Sequence, residues 1–183
     1  QSRYEFHAFD GAEDSPRMLP YGYASTGAAE NYASYPVVVN GKIRIRYAIV
    51  CGGADCADTG FYLYYSTGGA YAQVPDSFDS GNVKFCGVTD AINQPNNGVV
   101  TTNQLSTAGT FVPGGFILTS NAIPTVTLAN GNKTELEYCI AFDSDATGTY
   151  TFRVYKQDGA ALDTYTVTPS IPISTAKAGG SGF

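Results

Sequence analysis

Alternation with a period of two runs through most of the chain. It is clearest from Lys42 to Ile49, where Ile43, Ile45, Tyr47 and Ile49 share one side and Lys42, Arg44 and Arg46 share the other. This pattern predicts a half-buried strand whose cations face solvent. The run follows Pro36 to Val39 and the dipeptide Asn40-Gly41, which tolerates the positive φ angles of a two-residue turn, so the two runs are expected to pair as a hairpin. Three further hairpins are predicted at Gly68-Gly69 within Phe61 to Val74, at Asn130-Gly131 before Thr134 to Phe142, and at Asp158-Gly159 between Tyr150 to Tyr155 and Leu162 to Val167. β-Branched and aromatic residues fill these runs and none shows a 3.6-residue apolar stripe, so βαβ crossovers are not expected. The expectation is an all-β, antiparallel sandwich of roughly nine to eleven strands.

Residues 1–36 read differently from residues 37–174, the predicted sandwich. Tyr4 to Phe9 has good β propensity, whereas Asp10 to Pro16 and Gly22 to Asn31 read as irregular connection. Residues 175–183 contain Ala-Gly-Gly-Ser-Gly and predict a flexible tail. An extended arm behind a long connection can reach beyond its own domain and add a strand to a neighbouring sheet. Tyr4, Phe6 and Ala8 share one face as candidate anchors, with Phe9 beside them at the subunit interface. Head-to-tail use of that contact builds an open filament of identical subunits. Two alternatives stay open: Tyr4 to Phe9 is the first strand of its own sandwich, or Tyr165 to Ile173 is the exchanged segment, with Pro169 and Pro172 confining it to an edge.

Composition narrows the class of role. Of 183 residues, 43% are hydrophobic and 14% charged, enough for a real core. The formal charge of -6 argues against a nucleic-acid partner and supplies no basic membrane patch. No run of 18 apolar residues exists, so no membrane insertion is expected. Gln1 in place of an initiator Met predicts a processed, secreted chain, extracellular or on the cell surface. Cys51, Cys56, Cys86 and Cys139 form no CxxC pair and predict disulfides rather than a metal site. Three connectivities exist. Cys86 and Cys139 both fall on the non-core side of their strands, which favours joining them, and Cys51 with Cys56 would close a short loop.

Candidate chemistry is sparse, and no catalytic residue, metal or cofactor is expected. His7, the single imidazole, reads as a surface residue, and no Gly-x-Ser-x-Gly elbow accompanies it. Glu135 and Glu137 share a strand face near the spacing of a glycosidase pair, but a solvated face explains them more simply. Asp143 to Gly148, and the trio Asp10, Glu13 and Asp14, are weak calcium patterns lacking a full ligand set. Tyr62, Tyr64, Tyr65 and Tyr71 crowd one hairpin and form a candidate glycan-stacking surface, against which stand the absence of Trp and the usual role of such rings in packing. Asn132-Lys133-Thr134 is a sequon expected to be exposed beside a turn, making Asn132 a candidate glycosylation site.

Tyr62 to Ser66, Thr134 to Ile140, Gly148 to Val154 and Ala161 to Val167 resemble the strand motifs of immunoglobulin-like β-sandwich domains in secreted bacterial and archaeal surface proteins. The resemblance covers most of residues 40–173, and the N-terminal arm is similar in plan to the extended arm of donor-strand, pilus-like filament subunits. It implies a non-catalytic domain of surface layers, adhesins or filaments. It departs from the antibody pattern in lacking a core Trp, so that family's inter-sheet disulfide is not carried over to Cys86 and Cys139. The leading expectation is a structural subunit of an extracellular filament. The alternatives are a carbohydrate-binding or adhesive surface module and a virus surface subunit.

Overall fold

The computed structural model describes residues 1–7, 30–31, 36–87, 96, 98–119 and 125–174, and within them the chain is almost entirely strand and turn. Fourteen strands follow in order: β1 (Arg3–His7), β2 (Val37–Val38), β3 (Lys42–Val50), β4 (Cys56–Thr59), β5 (Phe61–Ser66), β6 (Ala72–Gln73), β7 (Val83–Phe85), β8 (Gly98–Val100), β9 (Phe111–Val112), β10 (Gly114–Ile117), β11 (Val126–Leu128), β12 (Lys133–Phe142), β13 (Thr149–Lys156) and β14 (Ser170–Ser174). A seven-stranded sheet runs β1-β3-β12-β10-β8, with β7 and β9 also pairing along β12. A five-stranded sheet runs β2-β14-β13-β5-β6, and β4 with β11 forms a separate ribbon.

The two large sheets share one core, as the alternation requires. From the larger come Ile43, Ile45, Tyr47, Leu136, Tyr138, Ile140 and Phe142; from the smaller come Phe61, Leu63, Tyr150, Phe152 and Val154. Phe142 meets Tyr150 edge-on at 5.2 Å between ring centres, and the Tyr138 hydroxyl donates to the Phe61 carbonyl at 3.3 Å, so the sheets touch directly. All-β layering is therefore as expected, but the pairing is mixed. β9 and β10 run parallel to β12, and β2 runs parallel to β14.

Turns fall where the glycines predicted, while several strand partners differ. Gly68-Gly69 closes a true hairpin, in which Tyr64 faces Gln73 and the Ser66 hydroxyl accepts from the amides of both glycines. At Asn40-Gly41 the chain does turn, with Asn40 at φ 60° and the Gly41 amide bonded to Val38 O. The turn, however, carries the chain from one sheet to the other: β2 pairs β14 and β3 pairs β1 and β12. After Asn130-Gly131 the same correction holds, since β11 pairs β4 instead of β12. Beyond Asp158-Gly159 only Tyr155 and Ala161 form a bridge, and Leu162 to Val167 is irregular.

The largest departure is on the far side of β3 and β12, expected to be solvated. Arg44, Arg46, Lys133, Glu135 and Glu137 are each at most 2% exposed. Residues 102–107 lie over this face, and beside it Val100, Phe116 and Leu118 form a second small core with Cys86 and Cys139. A pattern of alternating charge records only which side a residue faces. It is silent about what distant chain comes to cover that side.

Candidate functional site

β1 lies in a strand-shaped slot of its own chain. Its five residues pair antiparallel with β3, with Tyr4 facing Tyr47, Glu5 facing Arg46, Phe6 facing Ile45 and His7 facing Arg44. The outer edge, which would otherwise present unpaired backbone, is closed at Tyr4: its amide donates to Asn31 Oδ1 at 3.0 Å and its carbonyl accepts from the Asn31 amide at 2.8 Å. Glu30 adds an ion pair to Arg3 at 3.0 Å. Upstream, the Gln1 side chain donates to Val167 O and accepts from the Val154 amide, tying the start of the arm to the second sheet.

Both faces of the strand are buried. Tyr4 and Phe6, each 1% exposed, enter the main core, where Tyr4 packs against Phe6 at 5.5 Å and Tyr47 at 6.4 Å. Burial alone pushes the Tyr4 phenol up to about 12. The candidate anchors Tyr4 and Phe6 thus sit in the core of the same chain, the alternative left open by the sequence, and the described part of the arm is an edge strand instead of a projecting one. Ala8 and Phe9 lie outside the described residues, as do Asp10, Glu13 and Asp14 and the tail 175–183.

On the opposite face Glu5 and His7, both fully buried, enter a layer of charge. His7 is therefore not a surface residue; its Nε2 lies 2.7 Å from Glu5 Oε1. Glu137 is shared by two guanidinium groups: Arg46 Nε donates to its Oε2 at 2.8 Å, and an Arg44 nitrogen lies 2.8 Å from its Oε1. Glu135 accepts the backbone amides of Leu105 at 2.8 Å and Gln104 at 3.1 Å, with Arg46 at 3.4 Å and the Lys133 ammonium at 3.9 Å. Lys133 donates to Leu105 O at 2.6 Å. Burial raises the Glu135 carboxyl above the usual carboxylate range, while those amides and cations pull it back. The carboxylates are committed to cations and amides, so they are placed as structural ion pairs. Sequence reading missed Glu5, Arg44, Arg46 and Lys133 as site residues; the only available signal was the coincidence of like-phased charges on three strands that pair.

The tyrosines divide. Tyr62 and Tyr64 occupy the outer face of the five-stranded sheet, since Phe61 and Leu63 alternate inward. Tyr64 stacks on Tyr155 at 4.2 Å, and Arg153 lies 4.7 Å from the ring centres of both Tyr71 and Tyr165. Tyr65 instead packs against the core and tilts over Tyr150 at 6.1 Å, which removes it from any outer glycan surface. Asn132 is only half-buried at its turn, but Thr134 of the same sequon is fully buried, so the expected exposure holds for one end only.

Disulfides join Cys51 to Cys56 and Cys86 to Cys139, the pairing favoured by strand facing, and fit an oxidising environment. A cleft of about 550 Å³ opens beside the first of these, floored by Ile49, Phe61, Leu128 and Leu162 and rimmed by Asp55 and Asp163. Among the described residues there is no group of three or more His, Cys, Asp or Glu placed to hold a metal ion, and no helix long and apolar enough to cross a membrane. No model of a known protein family matches the chain, and no curated protein matches it.

Proposed function

We propose that the protein is a secreted structural subunit of an extracellular or cell-surface filament, joined to identical subunits by exchange of strand β1. The observation that carries this reading is the slot. β1 is held on one edge by β3 and capped on the other by Asn31, and its link to that cap is residues 8–29. Fully extended, those residues span roughly 70 Å, enough to reach an adjacent copy. A strand that fills its own slot can fill the same slot of a neighbour with the same contacts, so exchange costs no native interaction. Repeated head to tail, it gives an open chain of subunits. Two disulfides suit such a material, and the immunoglobulin-like resemblance points the same way.

Negative-stain electron microscopy with light scattering tests this directly. Wild-type protein should form uniform filaments, and Phe6→Ala should abolish or shorten them. A clean monomer near 19.3 kDa under all assembly conditions would contradict the reading.

A second reading, a carbohydrate-binding or adhesive module, draws on the outer face bearing Tyr62, Tyr64, Tyr71, Tyr155 and Tyr165. Its weakness is that several of those rings already stack on one another or on Arg153. A glycan array on monomeric protein would favour it if Tyr62→Ala and Tyr64→Ala lost binding.

A further inference from the structure

Tyrosine rings meet one another in two settings. Tyr4, Tyr47, Tyr138 and Tyr150 have tyrosine neighbours inside the main core, where each is at most 3% exposed. On the outer face of the five-stranded sheet the rings are reached by solvent. There β5 and β13 pair antiparallel, with Tyr64 facing Arg153 and Tyr62 facing Tyr155, so that Tyr64 and Tyr155 are diagonal neighbours on one face. Their rings stack with centres 4.2 Å apart and planes 26° apart, and both are only half-buried. Tyr71 and Tyr165 stand farther off, each 6.1 Å from Tyr155.

The same face separates this pair from its neighbours chemically. The Arg153 guanidinium lies 4.7 Å from the ring centres of both Tyr71 and Tyr165, and a positive charge against a ring opposes removal of an electron from it. The hydroxyls of those two rings are also engaged: Tyr71 with Thr151 Oγ1 at 3.1 Å, and Tyr165 as a donor to Val154 O at 2.8 Å. Tyr64 and Tyr155 are thus the closest and least encumbered of the half-exposed rings. They also join strands of a sheet that holds no disulfide, since all four cysteines lie outside β2, β14, β13, β5 and β6.

We propose that Tyr64 and Tyr155 form an oxidative modification site, at which a peroxidase and hydrogen peroxide join the two rings as a dityrosine that staples β5 to β13. Each phenol gives up one electron and its hydroxyl proton. The two phenoxyl radicals couple through their ortho carbons, and the two protons displaced from those carbons return to the phenol oxygens. Hydrogen peroxide takes up the two electrons and two protons and leaves as two molecules of water. The oxidising setting that suits the disulfides suits this chemistry as well. A link between positions 64 and 155 constrains a long stretch of the unfolded chain, so it stabilises the fold as a long-loop disulfide does. The proposal is independent of strand exchange.

The test treats the full chain, at a dilution where it is monomeric, with a haem peroxidase and hydrogen peroxide. The readouts are dityrosine fluorescence, mass spectrometry of the digested product and the melting temperature. Wild type should yield a peptide pair joined from Tyr64 to Tyr155, two hydrogens lighter than its halves, and the treated protein should melt higher than the untreated. Tyr64→Phe and Tyr155→Phe keep the rings and should each lose this product, whereas Tyr71→Phe should retain it; equal melting temperatures before treatment show that the variants are folded. A dityrosine mapped to other positions or between chains, or none at all while free tyrosine couples under the same conditions, overturns the site. Formation of the link with no rise in melting temperature overturns its role as a staple.

Discussion

Glu137 holds two guanidinium groups inside the protein, and the price of that arrangement shows only when one partner is removed. Glu137→Ala removes the buried carboxylate that Arg44 and Arg46 share and should cost about 3–5 kcal/mol in urea unfolding; a loss below about 1 kcal/mol would mean that water reaches the layer. Phe6→Ala should cost a similar amount, about 3–5 kcal/mol, through the cavity it leaves beside Tyr4. Glu135 supplies a pH signature. Its carboxyl is raised from 4.5, chiefly by burial, so the folded chain holds that proton more tightly than the unfolded chain does. The resulting stability is complete below 4.5 and disappears as pH rises through the raised value. Wild type should therefore lose stability relative to Glu135→Gln as pH climbs through that range, and a difference that stays flat or grows would contradict the assignment. The facing of these residues was legible in the sequence, because period two is a local property. Their burial was not, because Thr102 to Leu105, which cover Arg46 and Glu135, are some thirty residues from β12 and more than fifty from β3.

At the scale of elements, β12 organises the larger sheet because it is paired along both edges and covered on both faces. β10 comes so close to it that a Cβ on Gly114 would collide with the Glu135 carbonyl oxygen. Gly114→Ala should separate the parallel pair and cost at least about 1–3 kcal/mol, read as a lowered denaturation midpoint. The two disulfides should differ in weight. Cys86 and Cys139 are 53 residues apart and Cys51 and Cys56 only 5, so loop-closure entropy assigns about 4 kcal/mol to the first and about 2 kcal/mol to the second. Paired Cys→Ala variants compared by equilibrium denaturation would reveal an inverted order if the short loop matters more. Turn chemistry exposed the positions of Asn40-Gly41 and Asn130-Gly131, yet the strands that leave them choose distant partners. Val37 is drawn to β14 beside Ile173 because its side chain fills the main core there, a preference no local dipeptide records. The hairpin at Gly68-Gly69 was legible because its turn and its pairing are the same local event.

For the whole molecule the question is which copy's strand fills the slot. Under the proposed strand exchange, the contacts of β1, from the core packing of Tyr4 and Phe6 to the charge layer around Glu5 and His7, would be supplied by a second copy, and the subunit would be complete either as a closed monomer or as a link in a chain. On that proposal the balance between the two states would shift toward the chain as concentration rises. Arg3 and Ala48 face one another across β1 and β3 and offer a direct readout. One preparation of the full chain carries Arg3→Cys and another carries Ala48→Cys; they are refolded together under assembling conditions and oxidised, and cross-linked peptides are identified by mass spectrometry. Strand exchange predicts a disulfide joining position 3 of one chain to position 48 of another, within filaments. Filaments that assemble from the mixture without that inter-chain link, while a chain carrying both substitutions cross-links internally, would contradict it.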